Sequence, residues 1–95
     1  MASRTVLAAD ADGREFELTL RVGRPYAVSL EEWACPHEMR GLHDRLPDMH
    51  GIDSWQCVQL VLQLQRHLLD DFTLRGGKLM WLHDRDPITP AELFS

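Results

Sequence analysis

His43-Asp44 and His83-Asp84 are the residues in this chain best suited to acid–base chemistry. Both lie inside the tetrapeptide Leu-His-Asp-Arg, which occurs at positions 42–45 and again at 82–85. A carboxylate beside an imidazole can orient the ring and fix its tautomer, which a general base needs. If the two loops meet at one end of a sheet, His43 and His83 become the catalytic or ligand-binding candidates of a small pocket. A structural reading stands beside this one. Both copies sit where a strand gives way to a loop, and solvated turns favour such residues without any chemistry. The flanks differ apart from a Pro two residues after each Arg, so the tetrapeptide is not a structural repeat.

Five histidines also raise the question of a metal. His37, His43 and His50 are six and seven residues apart, with Cys35 and Asp48 nearby. Zinc sites usually show paired ligands at short spacing, Cys-x2-Cys or His-x3-His, and neither occurs here, so no metal and no cofactor is expected. There is no Gly-x-Ser-x-Gly elbow to activate a serine, and Cys35 and Cys57 stand at apolar-patterned positions, as buried free thiols do. Gly76-Gly77 closes a helix where a phosphate loop would have to open one. Asp70-Asp71 reads as a solvated pair near a helix end.

These residues must be held by a scaffold, and one stretch dominates it. Asp53 is a good N-cap, Gln56 three residues on completes a capping box, and Ile52 with Cys57 is placed for a hydrophobic staple. Cys57, Val61, Leu64, Leu68 and Phe72 then fall on one stripe at 3.6-residue spacing, widened by Val58, Leu62, Leu69 and Leu60. Gly76 after Arg75 supplies the C-terminal stop. The spacing predicts one helix spanning on the order of 33 Å at ~1.5 Å per residue. Its apolar arc, roughly 200° wide, exceeds what one packed face needs. Gln65 lies inside that arc, either satisfied by a strand carbonyl or water, or acting as a polar contact in a dimer or ligand interface.

The remaining chain reads as strands. Residues 5–9 form a short apolar strand, residues 10–13 an Asp-Gly turn, and residues 14–22 alternate strictly, with Phe16, Leu18, Leu20 and Val22 inward. Tyr26, Val28 and Leu30 continue a weaker alternation. Trp33, Cys35, His37 and Met39 share one parity, which predicts a strand facing the core, with Pro36 marking an edge or a bulge. Residues 46–50 form a last short strand before the helix, and residues 78–83 a strand apolar on both faces and central in the sheet. Thr89, Pro90 and Glu92 make a second capping box that docks Leu93 and Phe94. The expected fold is α+β, a single domain over residues 1–95: an antiparallel sheet of four or five strands with the long helix packed across one face.

Composition narrows the function. Hydrophobic content is 44%, charged content 26% and net charge −5, with nine of the ten basic residues arginine. The acids are scattered and no basic stripe forms, so no nucleic acid is expected as partner. No apolar run approaches the ~18 residues of a membrane span, and residues 6–9 before Asp10 are too short for the apolar region of an export signal, so none is expected. A cytoplasmic protein with reduced thiols follows.

Trp33-Ala34-Cys35-Pro36, then Gly51-Ile52-Asp53-Ser54-Trp55-Gln56 opening an apolar helix, then Gly76-Gly77-Lys78-Leu79, resemble a family of small uncharacterised bacterial proteins. That family shows a Trp-x-Cys strand and a Gly-[Val/Ile]-Asp-Ser-x-Gln helix start. The resemblance covers roughly residues 22–82 and implies a fold and a bacterial cytoplasm, with no activity to carry over. The leading functional expectation is a non-enzymatic factor that binds another protein, of inhibitor or immunity type. For a basic partner the contact residues would be Glu15 and Glu17, with Glu31, Glu32 and Glu38, unless the neighbouring Arg14, Arg21, Arg24 and Arg40 cancel them. The alternatives are a small enzyme or ligand-binding protein with a pocket near His43 and His83, and a homodimeric accessory protein using the wide helix arc and Gln65.

Overall fold

An apolar run over residues 6–9, a tight Asp-Gly turn and a strictly alternating run after it produce the central hairpin. The computed structural model describes residues 1–94. Strands β1 (Ala2–Ala9) and β2 (Glu15–Val22) pair antiparallel along their whole length. Gly13, at φ 85°, takes the left-handed turn position that a side chain rarely adopts. Then follow β3 (Tyr26–Ser29), β4 (Glu32–Cys35), β5 (His37–Arg40), β6 (Met49–Gly51), α1 (Ser54–Leu74), β7 (Lys78–Met80), β8 (Pro87–Ile88) and α2 (Pro90–Leu93). The larger sheet is antiparallel with strand order β5-β2-β1-β7-β8, and α1 packs on one face of it. The expected α+β architecture holds. A second sheet, ordered β3-β4-β6, was not legible beforehand.

The second sheet arises from one bent ribbon. Val22 pairs with His37 and Tyr26 pairs with Ala34, so three residues on one strand face two on the other. That extra residue is a bulge, which twists and bends a ribbon. Pro25 and Pro36 lack the N–H that a continuous ladder needs at this point. Gly23 closes the corner: its N–H donates to the Pro36 carbonyl at 2.8 Å, and a Cβ there would meet Pro36 Cγ at 2.6 Å. Trp33, Cys35, His37 and Met39 therefore do not share one strand. Trp33 and Cys35 belong to the small sheet, His37 and Met39 to the large one.

Helix α1 spans both sheets and draws the molecule out to 46 × 22 × 19 Å. Its radius of gyration is 14.2 Å, against about 12 Å for a compact chain of this length. Leu69, with Leu68 and Phe72 beside it, packs on Val6, Ala8, Leu18, Met39 and Leu79 of the large sheet. Cys57 and Val61 pack on Cys35 and Val22, with Trp33 and Met49 at the margin. Phe16 and Phe72 meet edge to face, centroids 6.1 Å apart.

The helix ends follow their sequence signals. Asp53 Oδ1 accepts from the Gln56 N–H at 2.7 Å. Gln56 Oε1 accepts from the N–H of Ile52, the residue before the cap, rather than from the cap itself. That bond turns Ile52 outward, where it is 67% exposed, so the expected staple to Cys57 does not form. At the far end the Gly77 N–H reaches the Phe72 carbonyl and the Gly76 N–H the Thr73 carbonyl, a Schellman closure with Gly76 at φ 100°. Asp53→Ala is expected to lower stability by ~1 kcal/mol, within ~0.5–2. A denaturation midpoint that does not move would show the cap to be dispensable.

The strand expected over residues 78–83 stops at Met80. Beyond it Asp84 Oδ1 accepts from the Asp86 N–H, and Trp81 and Arg85 close a turn with Arg85 at φ 62°. Side-chain bonding by aspartate offers the backbone an alternative to the ladder, and here it wins. The chain returns as β8, which places Thr89 to cap α2 through the Glu92 N–H.

Candidate functional site

The expected site residues lie far apart on this scaffold. His43 follows β5 at one edge of the large sheet, where the Met39 carbonyl accepts from its backbone N–H. His83 sits in the β7–β8 turn, its Nε2 3.2 Å from Asp84 Oδ2. Strands β2 and β1 lie between, which sets β5 and β7 about 14 Å apart at ~4.8 Å per strand. A small cleft beside His43 is shared with Glu38, Arg40, Gly41 and Asp44, and His83 takes no part in it.

Gln65 is 1% exposed, and its Nε2 donates to the carbonyls of Arg21 at 3.2 Å and Glu38 at 3.4 Å. The amide thus stitches the helix to β2 and β5, a structural use of the polar residue inside the arc. His37 is also buried. Its Nε2 donates to the Pro47 carbonyl at 3.0 Å, and its Nδ1 has no partner among the described residues.

The carboxylates expected to capture a basic partner are mostly engaged at home. Arg85 grips Glu15 with two bonds of 2.7 and 3.0 Å, and this fork holds the Glu15 carboxyl below its ordinary pKa. Glu38 lies 2.9 Å from Arg21 and 3.3 Å from Arg40. Glu17 is exposed among them. The outer face of the large sheet therefore carries interleaved charges of both signs.

A different surface emerges at the end formed by the small sheet. Strand β3 is an edge strand, and all four of its residues are exposed. Tyr26 and Val28 stand on it, and Leu30 at the β3–β4 turn is fully exposed. Trp33 of β4 pairs with Gly51, so Ile52 just beyond lies level with the same turn. Trp55, in the first turn of α1, is 74% exposed. Five of the nine exposed large apolar side chains among the described residues thus lie on elements at one end of the molecule. The signal in sequence was a tryptophan on the polar side of the helix wheel.

This end is organised by cross-strand bonds. The Tyr26 hydroxyl donates to Asp48 Oδ2 at 2.6 Å, and that bond, with partial desolvation and the negative charge, pushes the phenol pKa up. His50 Nδ1 donates to Glu32 Oε2 at 2.7 Å. The His50–Glu32 pair has the look of an oriented imidazole, yet the main clefts are lined by other residues. Around the apolar side chains stand Glu31, Glu32, Asp48 and Asp53, with Arg24 on the other side of the balance.

Cys35 and Cys57 are free and fully buried on the helix-facing side of the small sheet. Burial pushes both thiols up, reinforced for Cys35 by the neighbouring Cys57 and Asp48 and for Cys57 by Asp53. Both are expected to react with a disulfide reagent at least ~100-fold more slowly in the folded than in the denatured protein. Equal rates would place at least one sulfur at the surface. Among the described residues no group of three His, Cys, Asp or Glu side chains is placed to hold a metal ion. No described helix is long and apolar enough to cross a membrane.

A family model described as a domain of unknown function (DUF6968) matches residues 2–89. No curated protein and no solved structure matches the chain.

Proposed function

The chain belongs to the DUF6968 family, and from that premise we propose that it is a non-enzymatic protein-binding factor whose contact surface is the small-sheet end of the molecule. The observation that carries this reading is the clustering of Tyr26, Val28, Leu30, Ile52 and Trp55 beside the unpaired edge of β3. Scattered apolar side chains on a surface need no explanation, whereas a gathered set rimmed by polar groups marks an interaction site. Exposed tryptophan and tyrosine are the residue types that most often anchor such contacts. An edge strand adds a row of main-chain donors and acceptors for an incoming segment.

The rim sets the partner's charge. Glu31, Glu32, Asp48 and Asp53 outnumber Arg24, so a segment carrying lysine or arginine beside apolar anchors complements it. A second copy of the chain would bring those carboxylates against their own images. The partner is therefore a basic protein, and an inhibitor or immunity-type role in the cytoplasm of a bacterium accords with an acidic, apolar-tipped factor.

The test compares three tagged forms on the same cell extract: the unchanged protein, Leu30→Glu with Trp55→Glu, and Leu74→Glu as a control at an exposed site on the far end of α1. The expected result is one protein retained by the first and third forms and weakened at least ~10- to 100-fold in the second, with equal melting temperatures. Retention by all three alike would sink the assignment of this surface.

A further inference from the structure

The sheet does not close evenly under α1. Strand β7 pairs only with Leu7, Ala8 and Ala9 of β1, leaving the first residues of β1 without a neighbour on that side. Those residues include the small Ala2 and Ser3. The result is a groove of about 270 Å3 between the large sheet, α1 and the end of α2. Its walls are Leu20, Val22, Leu62, Leu93 and Phe94. A second recess of about 370 Å3 shares Leu62, Leu93 and Phe94 with it, so one trough runs on toward Gln63 and Arg66.

Two polar groups single out this trough. Gln65 lines the groove although the residue is 99% covered. Its Nε2 is committed to the Arg21 and Glu38 carbonyls, which fixes the amide orientation because only the NH2 can donate to both. Its Oε1 has no hydrogen-bond partner among the described residues and is not fully enclosed. That oxygen is the acceptor offered to the groove. At the mouth, Arg4 stacks on Trp81 at 5.4 Å from the ring centroid and makes no ion pair with a described residue. Arg66 at the far side is only loosely held, its Nε 3.9 Å from Asp70. No carboxylate lines either recess among the described residues. In a chain of net charge −5, the described lining of the trough thus carries two arginines and no acid.

We infer that the groove between β1, α1 and α2 is a binding site for a small organic carboxylate with an apolar body and a hydrogen-bond donor at its inner end. The apolar walls receive the body, Gln65 Oε1 accepts from a hydroxyl or amine, and the Arg4 guanidinium meets the carboxylate. A mostly apolar cleft with a few convergent polar groups is how small-molecule sites are built. An acceptor that faces the groove bonds to water when the groove is empty, so a ligand that displaces this water must supply a donor in its place, which selects for that ligand over its deoxy analogue. The site shares no residue with the protein-contact surface, so either assignment stands without the other.

The probe is 3-(4-hydroxyphenyl)propionate, followed by amide chemical shifts of the whole chain. The expected result is saturable shifts at Arg4, Leu62, Gln65 and Phe94, with binding weakened ~10-fold or more for 3-phenylpropionate, which lacks the donor, and for the methyl ester, which lacks the charge. Leu62→Trp fills the trough from a side chain that is already 39% exposed, so the fold tolerates it, and it should abolish the shifts. Arg4→Gln should reduce the acid to the affinity of its ester and leave the ester unchanged. Absence of saturable shifts up to ~10 mM, a concentration that corresponds to less than ~3 kcal/mol of binding, would overturn the inference. So would equal binding of all three probes, or binding that survives Leu62→Trp.

Discussion

Leu69→Ala is expected to destabilise the fold by about 3–5 kcal/mol. Leu69 is fully buried in the C-terminal third of α1 and belongs to the cluster that joins Val6 and Ala8 of β1, Leu18 and Leu20 of β2, Met39 of β5 and Leu79 of β7. Truncation removes the transfer free energy of the lost carbons and leaves a cavity that sheet and helix cannot both collapse to fill. A chain of this size has a total stability of about 5–14 kcal/mol, so the loss is about a fifth of it or more. The melting temperature should fall by at least ~12 °C. Leu74→Ala, at a position 87% exposed five residues on, should change stability by no more than ~0.5 kcal/mol. Similar losses for the two leucines would mean that α1 does not rest on the large sheet through this face.

Gly41→Ala is expected to cost about 2–4 kcal/mol, for two separable reasons. Gly41 follows β5 at φ 106°, outside what an L side chain adopts without strain. A Cβ there would also stand 2.6 Å from the Glu17 carbonyl oxygen, a backbone atom that cannot move aside without disturbing β2. Gly13 isolates the first reason, having φ 85° and nothing within 4 Å of its would-be Cβ. Gly13→Ala should therefore cost only about 1–2 kcal/mol. Chemical denaturation of the two variants side by side gives the difference, which is the steric part. Equal costs would remove the contact between the β5 turn and β2 from the account.

Several features were legible because their causes are local. Asp53, Gln56, Gly76 and Gly77 marked the ends of α1, since caps depend on backbone groups within a few residues. The alternation of Phe16, Leu18, Leu20 and Val22 fixed the inward face of β2, and Thr89 with Pro90 announced α2. Burial of Cys35 and Cys57 followed from the same periodicity. Local signals also misled where two local partners competed. Gln56 bonded to the Ile52 N–H and turned that side chain outward, and Asp84 drew the chain after Met80 into a turn.

What only the tertiary structure decided concerns pairs distant in sequence. Nothing local to Gly23 or to Pro36 shows that each sits opposite the other, yet together they bend one ribbon and divide it between two sheets. Because of that bend, Leu30 and Trp55 lie at the same end of the molecule, whereas the sequence placed Leu30 only in a weak alternation and assigned Trp55 no surface. His43 and His83 share a tetrapeptide, but strand order places them at opposite edges of the large sheet. Gln65 found its carbonyls on β2 and β5, more than twenty residues away, and its remaining oxygen faces a groove that exists because β7 pairs with only three residues of β1. Capping and alternation are written in neighbouring residues. Strand order, the ribbon corner and the two surfaces that it creates arise from contacts that the chain makes only once folded.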